Sequence, residues 1–206
     1  MPNNKTYPFE SCLEFLEKKG KELFSPGFKV HPEDYEIIFK LLVYFVKDQP
    51  KADKYGLSFR KGILLSGPVG CGKTSLMSLF RFYLNGHKRH IMKSCREISF
   101  EFIQDGYSVI QKYSRNAFIL DEPKIYCFDD LGTENNLKYF GNDCNVMAEV
   151  LLSRYDLFVS RKMTTHITTN LNSSEIEGIY GLRVRSRLRE QFNLIAFDQS
   201  SKDKRV

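Results

Sequence analysis

The chain reads as an α/β fold built on a mostly parallel central sheet, and three observations predict it. Short apolar or β-branched runs alternate with segments of helical periodicity along the second half to two-thirds of the sequence. The first such run, ILLS at 63–66, opens into a glycine-rich turn that leads directly into an apolar-periodic segment. Another, IYCF at 125–128, ends in two aspartates. Strands that deliver polar groups from their carboxyl ends, with helices between them, belong to open α/β sheets.

Taken in order, residues 9–24 (FESCLEFLEKKGKELF) place Phe9, Leu13, Leu16 and Leu23 among charges, as a surface-packed helix does. SPGFKV breaks that pattern. His31-Pro32-Glu33-Asp34 then resembles a helix start, with Pro32 where a missing N–H matters least and acids in the first turn, and this helix is expected to reach about Asp48. KDQPKADKYGLSFRK reads as a charged connector. After the glycine turn, SLMSLFRFYL is apolar enough for a helix against a sheet, and a short strand is expected near 90–95. SFEFIQDGYSVIQKYS continues as helix interrupted at Gly106, and NVMAEVLLSRYDLFVSR is another long helix. THITTN at 165–170 is a β-branched strand, 193–197 is one more, and SSKDKRV beyond it is expected to fray.

The chain has 206 residues, room for one substantial domain with a small appendage. No stretch approaches a membrane-spanning helix, and the opening MPNNKTYPFESCLEF lacks the apolar core of a signal peptide. Five scattered cysteines (12, 71, 95, 127 and 144) include no C-x-x-C pair, so neither a zinc site nor a disulfide framework is expected. A reduced, cytoplasmic setting fits best. The formal charge of +6 is compatible with nucleic acid as partner and equally with a surface that only confers solubility.

Four stretches carry chemistry. GPVGCGKTS at 67–75 is G-x-x-x-x-G-K-T between a strand and a helix. The loop Gly67, Pro68, Val69, Gly70, Cys71 and Gly72 would cradle phosphates, its three glycines letting successive backbone N–H groups point at the oxygens, Lys73 would neutralise the β- and γ-phosphates, and Thr74, followed by Ser75, would set its hydroxyl on magnesium. In IYCFDDLG, Asp129 would hold the metal and Asp130 would polarise an attacking water. Glu134 follows on the same loop and could reach the metal, a neighbouring subunit or only solvent. Asn170, ending THITTN, could hold its amide between the γ-phosphate and the lytic water, or simply cap the next helix. YGLRVRSRLREQF spaces Arg183, Arg185, Arg187 and Arg189 so that 183 and 187 share one helical face and 185 and 189 another. One pair could face a phosphate, even that of a neighbouring subunit, while the other reaches acids or DNA. Lys88, Arg89 and His90 form a further basic cluster that could touch DNA or be a solvated charge run.

Together these stretches resemble the AAA+ ATPases of the DnaC/IstB group, bacterial and phage helicase loaders and transposition helper ATPases. GPVGCGKT stands as Walker A, CFDDLG as Walker B, TTN as sensor 1 and YGLRVRSRL as the G-x-R-x-x-S-R-L region, over roughly residues 57–206. The resemblance implies a P-loop NTPase three-layer fold of AAA+ type. Residues 1–56 would be a short helical extension with connector, and 57–206 the ATPase domain with a minimal C-terminal lid. It implies ATP and Mg2+ as cofactors, Asp130, Asn170, Arg187 and Arg183 as catalytic residues, Arg187 acting as an arginine finger in trans, and slow hydrolysis by an isolated subunit. The implied partners are single-stranded DNA, a replicative helicase or a transposase, and further copies of the chain. A transposition helper would share every motif. A non-hydrolysing assembly regulator would bind ATP without turning it over.

Overall fold

The computed structural model describes residues 8–83, 89–134, 137–139 and 142–205. Its centre is a five-stranded, wholly parallel sheet in the order β2-β5-β8-β1-β9. The strands are β1 (Gly62–Ser66), β2 (Ile91–Ser94), β5 (Tyr126–Leu131), β8 (Thr165–Thr169) and β9 (Phe192–Ala196). Two short antiparallel hairpins, β3 (Phe118–Ile119) with β4 (Glu122–Pro123) and β6 (Leu137–Tyr139) with β7 (Asn142–Cys144), lie outside it.

Side-chain alternation along the strands builds the two faces. Ile63 and Leu65 of β1, Cys127 of β5 and Ile195 of β9 pack on one side against α1 (Phe9–Leu23), α2 (Tyr35–Val46) and α4 (Lys73–Tyr83). Leu64, Tyr126, Phe128, Ile167 and Phe192 pack on the other. There they meet α5 (Cys95–Asp105), α6 (Ser108–Tyr113), α7 (Val146–Arg161) and α8 (Ser173–Gln191). Three layers result, with the central strands β5, β8 and β1 largely buried on both faces, which is why they read as apolar or β-branched runs. The N-terminal helices therefore share one core with β1 and α4. Among the described residues no helix is long and apolar enough to cross a membrane.

Several sequence expectations need correction. The charged connector contains a helix, α3 (Gln49–Lys54): the Asp48 carboxylate accepts from the Lys51 N–H at 3.2 Å and Pro50 occupies the first turn, but only Ala52 is buried, so no apolar period announces it. The second helix ends at Val46, where Lys47 turns left-handed (φ 58°) and returns its N–H to Val43 and Tyr44. The β3–β4 hairpin turns on Leu120 and Asp121, both left-handed. The tail expected to fray is docked as far as residue 205, with the Lys204 N–H donating to the Gly70 carbonyl at 3.1 Å.

Arg154 on α7 is fully buried. Its Nε donates to Thr165 Oγ1 (2.7 Å) and its terminal nitrogens to the carbonyls of Tyr113 (2.8 Å), Lys124 (3.0 Å) and Thr164 (2.9 Å). The guanidinium also lies over the rings of Tyr126 and Phe128. It fastens the amino ends of β5 and β8, opposite the end where the motif residues gather.

Candidate functional site

The motif residues meet at the carboxyl ends of β1, β5 and β8, the edge where open parallel sheets bind ligands. β1 stops at Ser66, the loop 67–72 turns back, and α4 begins at Lys73. Gly70 (φ 79°) and Gly72 (φ 104°) take backbone conformations that side chains resist, which is what lets consecutive N–H groups converge. Val69 is exposed, whereas Cys71 is buried and burial pushes its thiol up.

Lys73 is almost wholly buried. Its ammonium donates to the carbonyls of Gly67 (2.8 Å) and Pro68 (2.7 Å) and to Asn170 Oδ1 (2.5 Å). Burial lowers its pKa, and the thiol of Cys71 and the carboxylates of Asp130 and Asp129 oppose that shift. Asn170 is thus drawn to the phosphate-loop lysine from 97 residues away. It does not cap the following helix: Asn172 does, accepting from the Ser174 and Glu175 N–H groups while Glu175 returns to the Asn172 N–H.

The acidic strand holds its two aspartates differently. Asp129 Oδ1 accepts from the Thr74 hydroxyl at 3.0 Å and the Thr168 hydroxyl at 2.6 Å. Burial pushes the Asp129 carboxyl up, and those two hydroxyls pull it back. At Asp130 the β5–β8 register shifts and the backbone turns left-handed (φ 55°). Its N–H donates to Thr168 Oγ1 at 2.9 Å, and the Thr133 hydroxyl donates to its carbonyl at 2.8 Å. Thr168 therefore holds the Asp129 carboxylate and the Asp130 backbone, and it was not among the residues singled out by motif. Its β-branched neighbours made it read as strand propensity, although the T-T-N stretch contains it.

Glu134 turns inward: its carboxylate accepts from the Gly132 N–H at 2.9 Å and from the Tyr180 hydroxyl. Burial and the facing carboxylate raise the Tyr180 phenol far above its ordinary value. Tyr180 immediately precedes Gly181 (φ 83°, ψ 162°), where α8 breaks, and the four arginines follow that break. Arg185 reaches back to the Glu177 carboxylate, so the expectation that one pair meets acids holds for it. Arg187 lies 4.3 Å from the Tyr155 ring centroid, Arg183 is exposed, and the Arg189 carbonyl accepts from Lys61.

The basic cluster at 88–90 loses a member. His90 is buried, its Nε2 donating to the Met77 carbonyl at 2.9 Å, because it packs beside Phe45 and His166 instead of facing solvent. Arg89 lies over the Phe82 ring, and Lys88 falls outside the described residues.

The donor set suits a magnesium nucleotide. Thr74 and Asp129 supply converging oxygens, the ligand type a hard divalent cation takes, with a buried ammonium beside them for phosphate. No protein-family model and no curated protein sequence matches the chain. Solved structures do. The DnaC helicase loader aligns over 84% of this chain and 94% of its own length, with 18% identity and TM-score 0.57. DnaI aligns over 85% and 90%, with 18% identity and TM-score 0.54. AMPPCP-bound DnaA from Aquifex aeolicus aligns over 83% of this chain but 48% of its own, with 15% identity and TM-score 0.54. At these identities the likeness is one of fold. The chain has the AAA+-type P-loop three-layer fold.

Proposed function

We propose that this chain binds and hydrolyses magnesium ATP as a subunit of an oligomeric AAA+-type switch. Its nucleotide state would govern the grip on single-stranded DNA and on a replicative helicase. The observation that carries the reading is the convergence of Lys73 with Asn170 and of Thr74 with Asp129 and Thr168, groups brought together from three separate stretches of sequence. The fold shared with the DnaC helicase loader supports the loader assignment, and the AMPPCP-bound DnaA of the same fold supports nucleotide binding.

In this reading the N–H groups of 70–74 and Lys73 bind the phosphates, and Thr74 and Asp129 would hold magnesium, which when bound would supply charge neutralisation at the phosphates. Asp130 orients and polarises the attacking water. Asn170 exchanges its contact with Lys73 for one near the γ-phosphate and so reports which nucleotide is bound. Arg187, with Arg183 beside it, completes the site of a neighbouring copy, so an isolated subunit turns over slowly. The test is steady-state ATP hydrolysis with and without single-stranded DNA, with Lys73→Ala as the blank. Stimulation by single strands, lost in Lys73→Ala, is expected. Tight nucleotide binding with no turnover on single-stranded DNA, on duplex or with a helicase present contradicts the proposal and leaves a non-hydrolysing regulator.

A further inference from the structure

The tail after β9 is fastened to the outside of the phosphate loop by a chain of specific contacts. The Phe197 N–H donates to the Ser66 carbonyl at 2.8 Å, carrying β9 alongside the end of β1. Asp198 then reverses the chain by accepting from the Ser200 N–H (2.8 Å) and hydroxyl (2.5 Å). Asp203 lies so close over Gly70 that a Cβ there would stand 2.0 Å from its carboxylate oxygen. Next to it, the Lys204 N–H donates to the Gly70 carbonyl at 3.1 Å, and the Lys204 ammonium donates to the Cys71 carbonyl at 3.2 Å. The same ammonium meets both oxygens of the buried Asp34 carboxylate at 2.5 and 2.6 Å, and Glu33 stands 3.6 Å away.

The peptide unit is planar and trans, so the carbonyl of one residue and the N–H of the next point in opposite directions. With the Gly70 and Cys71 carbonyls tied outward to Lys204, the N–H groups of Cys71 and Gly72 are turned to the opposite side of the loop. That is the orientation an anion-binding nest requires, and it would otherwise have to be found at the moment of binding at an entropic penalty. Lys73 cannot serve the same end, because its contacts are to Gly67 and Pro68 and its ammonium is the group that must meet phosphate.

We infer that Lys204, anchored by Asp34, is a positioning residue that holds the phosphate loop in its anion-binding form, and that bound triphosphate in turn holds the tail down. The inference rests on the phosphate loop binding nucleotide, as proposed above. Affinity coupling between two events is reciprocal, so each effect implies the other. The device also links the 3-10 turn Pro32–Asp34, the phosphate loop and the carboxyl tail through one ammonium group.

Two measurements test it. In the unaltered protein, hydrogen exchange at the Lys204 amide is followed with and without magnesium AMPPCP, and at least roughly tenfold slowing with nucleotide is expected. Equilibrium binding of AMPPCP and of inorganic tripolyphosphate is then measured for Lys204→Met, Lys204→Arg and the doubly neutral Lys204→Met/Asp34→Asn. Lys204→Met and the double variant should weaken both ligands by about tenfold and to a similar degree, since the loop and not the base is affected; Lys204→Arg should restore most of the affinity. The double variant strands no buried carboxylate, Glu33 being exposed to solvent, so its loss reports the missing tether. Nucleotide binding by the wild type, with exchange at Lys204 unmoved and Lys204→Met binding as the wild type does, overturns this inference alone. Absence of nucleotide binding in the wild type overturns it together with the proposed function.

Discussion

Replacing Thr168 by valine removes one hydroxyl from a fully buried position without changing the side chain's shape. That hydroxyl donates to Asp129 Oδ1 at 2.6 Å and accepts from the Asp130 N–H at 2.9 Å. A hydrogen bond to a charged acceptor contributes about 1.5–3 kcal/mol, and a buried N–H left without an acceptor costs about 1–3 kcal/mol. If the first quantity appears in transition-state stabilisation, turnover with magnesium ATP falls by roughly ten- to 150-fold. Thr74 remains as the only hydroxyl fixing Asp129 Oδ1 among the described contacts, so the magnesium concentration for half-maximal rate rises. The acid limb of the pH–rate profile also moves. Burial already raises the Asp129 carboxyl and Thr168 is the foremost opposing influence, so its loss raises the carboxyl further and the active, ionised form is reached only at higher pH. Steady-state hydrolysis across magnesium concentration and pH, with Thr168→Ser as the rescue, measures all three effects. A Thr168→Val protein with the wild-type rate, magnesium dependence and acid limb refutes the assignment of Thr168 as the residue that holds the Asp129 carboxylate and the Asp130 backbone in place.

Arg154→Met removes the guanidinium donor from one buried and two partly buried carbonyls and leaves the Thr165 hydroxyl only the long contact from Gln191, so chemical denaturation should show a loss of about 3 kcal/mol, while nucleotide affinity per folded molecule is unchanged. Burial holds His90 at a pKa of about 4 and His166 well below the ordinary value of 6.5. Both folded-state values are depressed, so the unfolded chain takes up protons first: stability is complete above pH 6.5 and declines as the pH falls toward 4, by about 1.4 kcal/mol per pH unit for each histidine. Urea midpoints at pH 7.5 and 5 measure this, and His90→Phe should flatten the decline. Tyr180→Phe cuts the link from Glu134 to the segment carrying the arginines; turnover of the assembled protein should drop roughly fivefold, for about 1 kcal/mol, with nucleotide affinity of the monomer unaltered in a fluorescent-nucleotide titration.

The central sheet and the gathering of the motif residues at its carboxyl edge are legible because buried parallel strands leave apolar runs, and because the 67–72 loop and the Asp129-Asp130 pair stand at the ends of those runs. The other features leave no pattern in the sequence, for physical reasons. Helix α3 buries a single alanine and is held by its cap, so it carries no period. The β3–β4 hairpin has two residues per strand, too few for alternation to register. Arg154 sits in a helix where an arginine ordinarily marks a solvent face, and its partners are main-chain carbonyls that leave no trace in residue identity. His90 follows two basic residues and looks like part of a charged surface, but stacking on Phe45 and the contact with His166 take it inside. The docked tail is composed of small and charged residues, and nothing in SSKDKR foretells that Lys204 meets Asp34 across 170 positions. Long-range polar pairing is what a one-dimensional pattern conceals.

Under the proposed function, one copy's Lys73, Asp129 and Asp130 hold the nucleotide while another copy's Arg187 completes the site. Mixing two separately inactive proteins tests that directly: Asp130→Asn, with its arginines intact, and Arg187→Ala, with its acids intact. Each alone should hydrolyse ATP at a small fraction of the wild-type rate on single-stranded DNA, and the mixture should recover activity that rises with the proportion of mixed interfaces. A mixture no more active than the sum of its components, under conditions where the two assemble, contradicts the shared site.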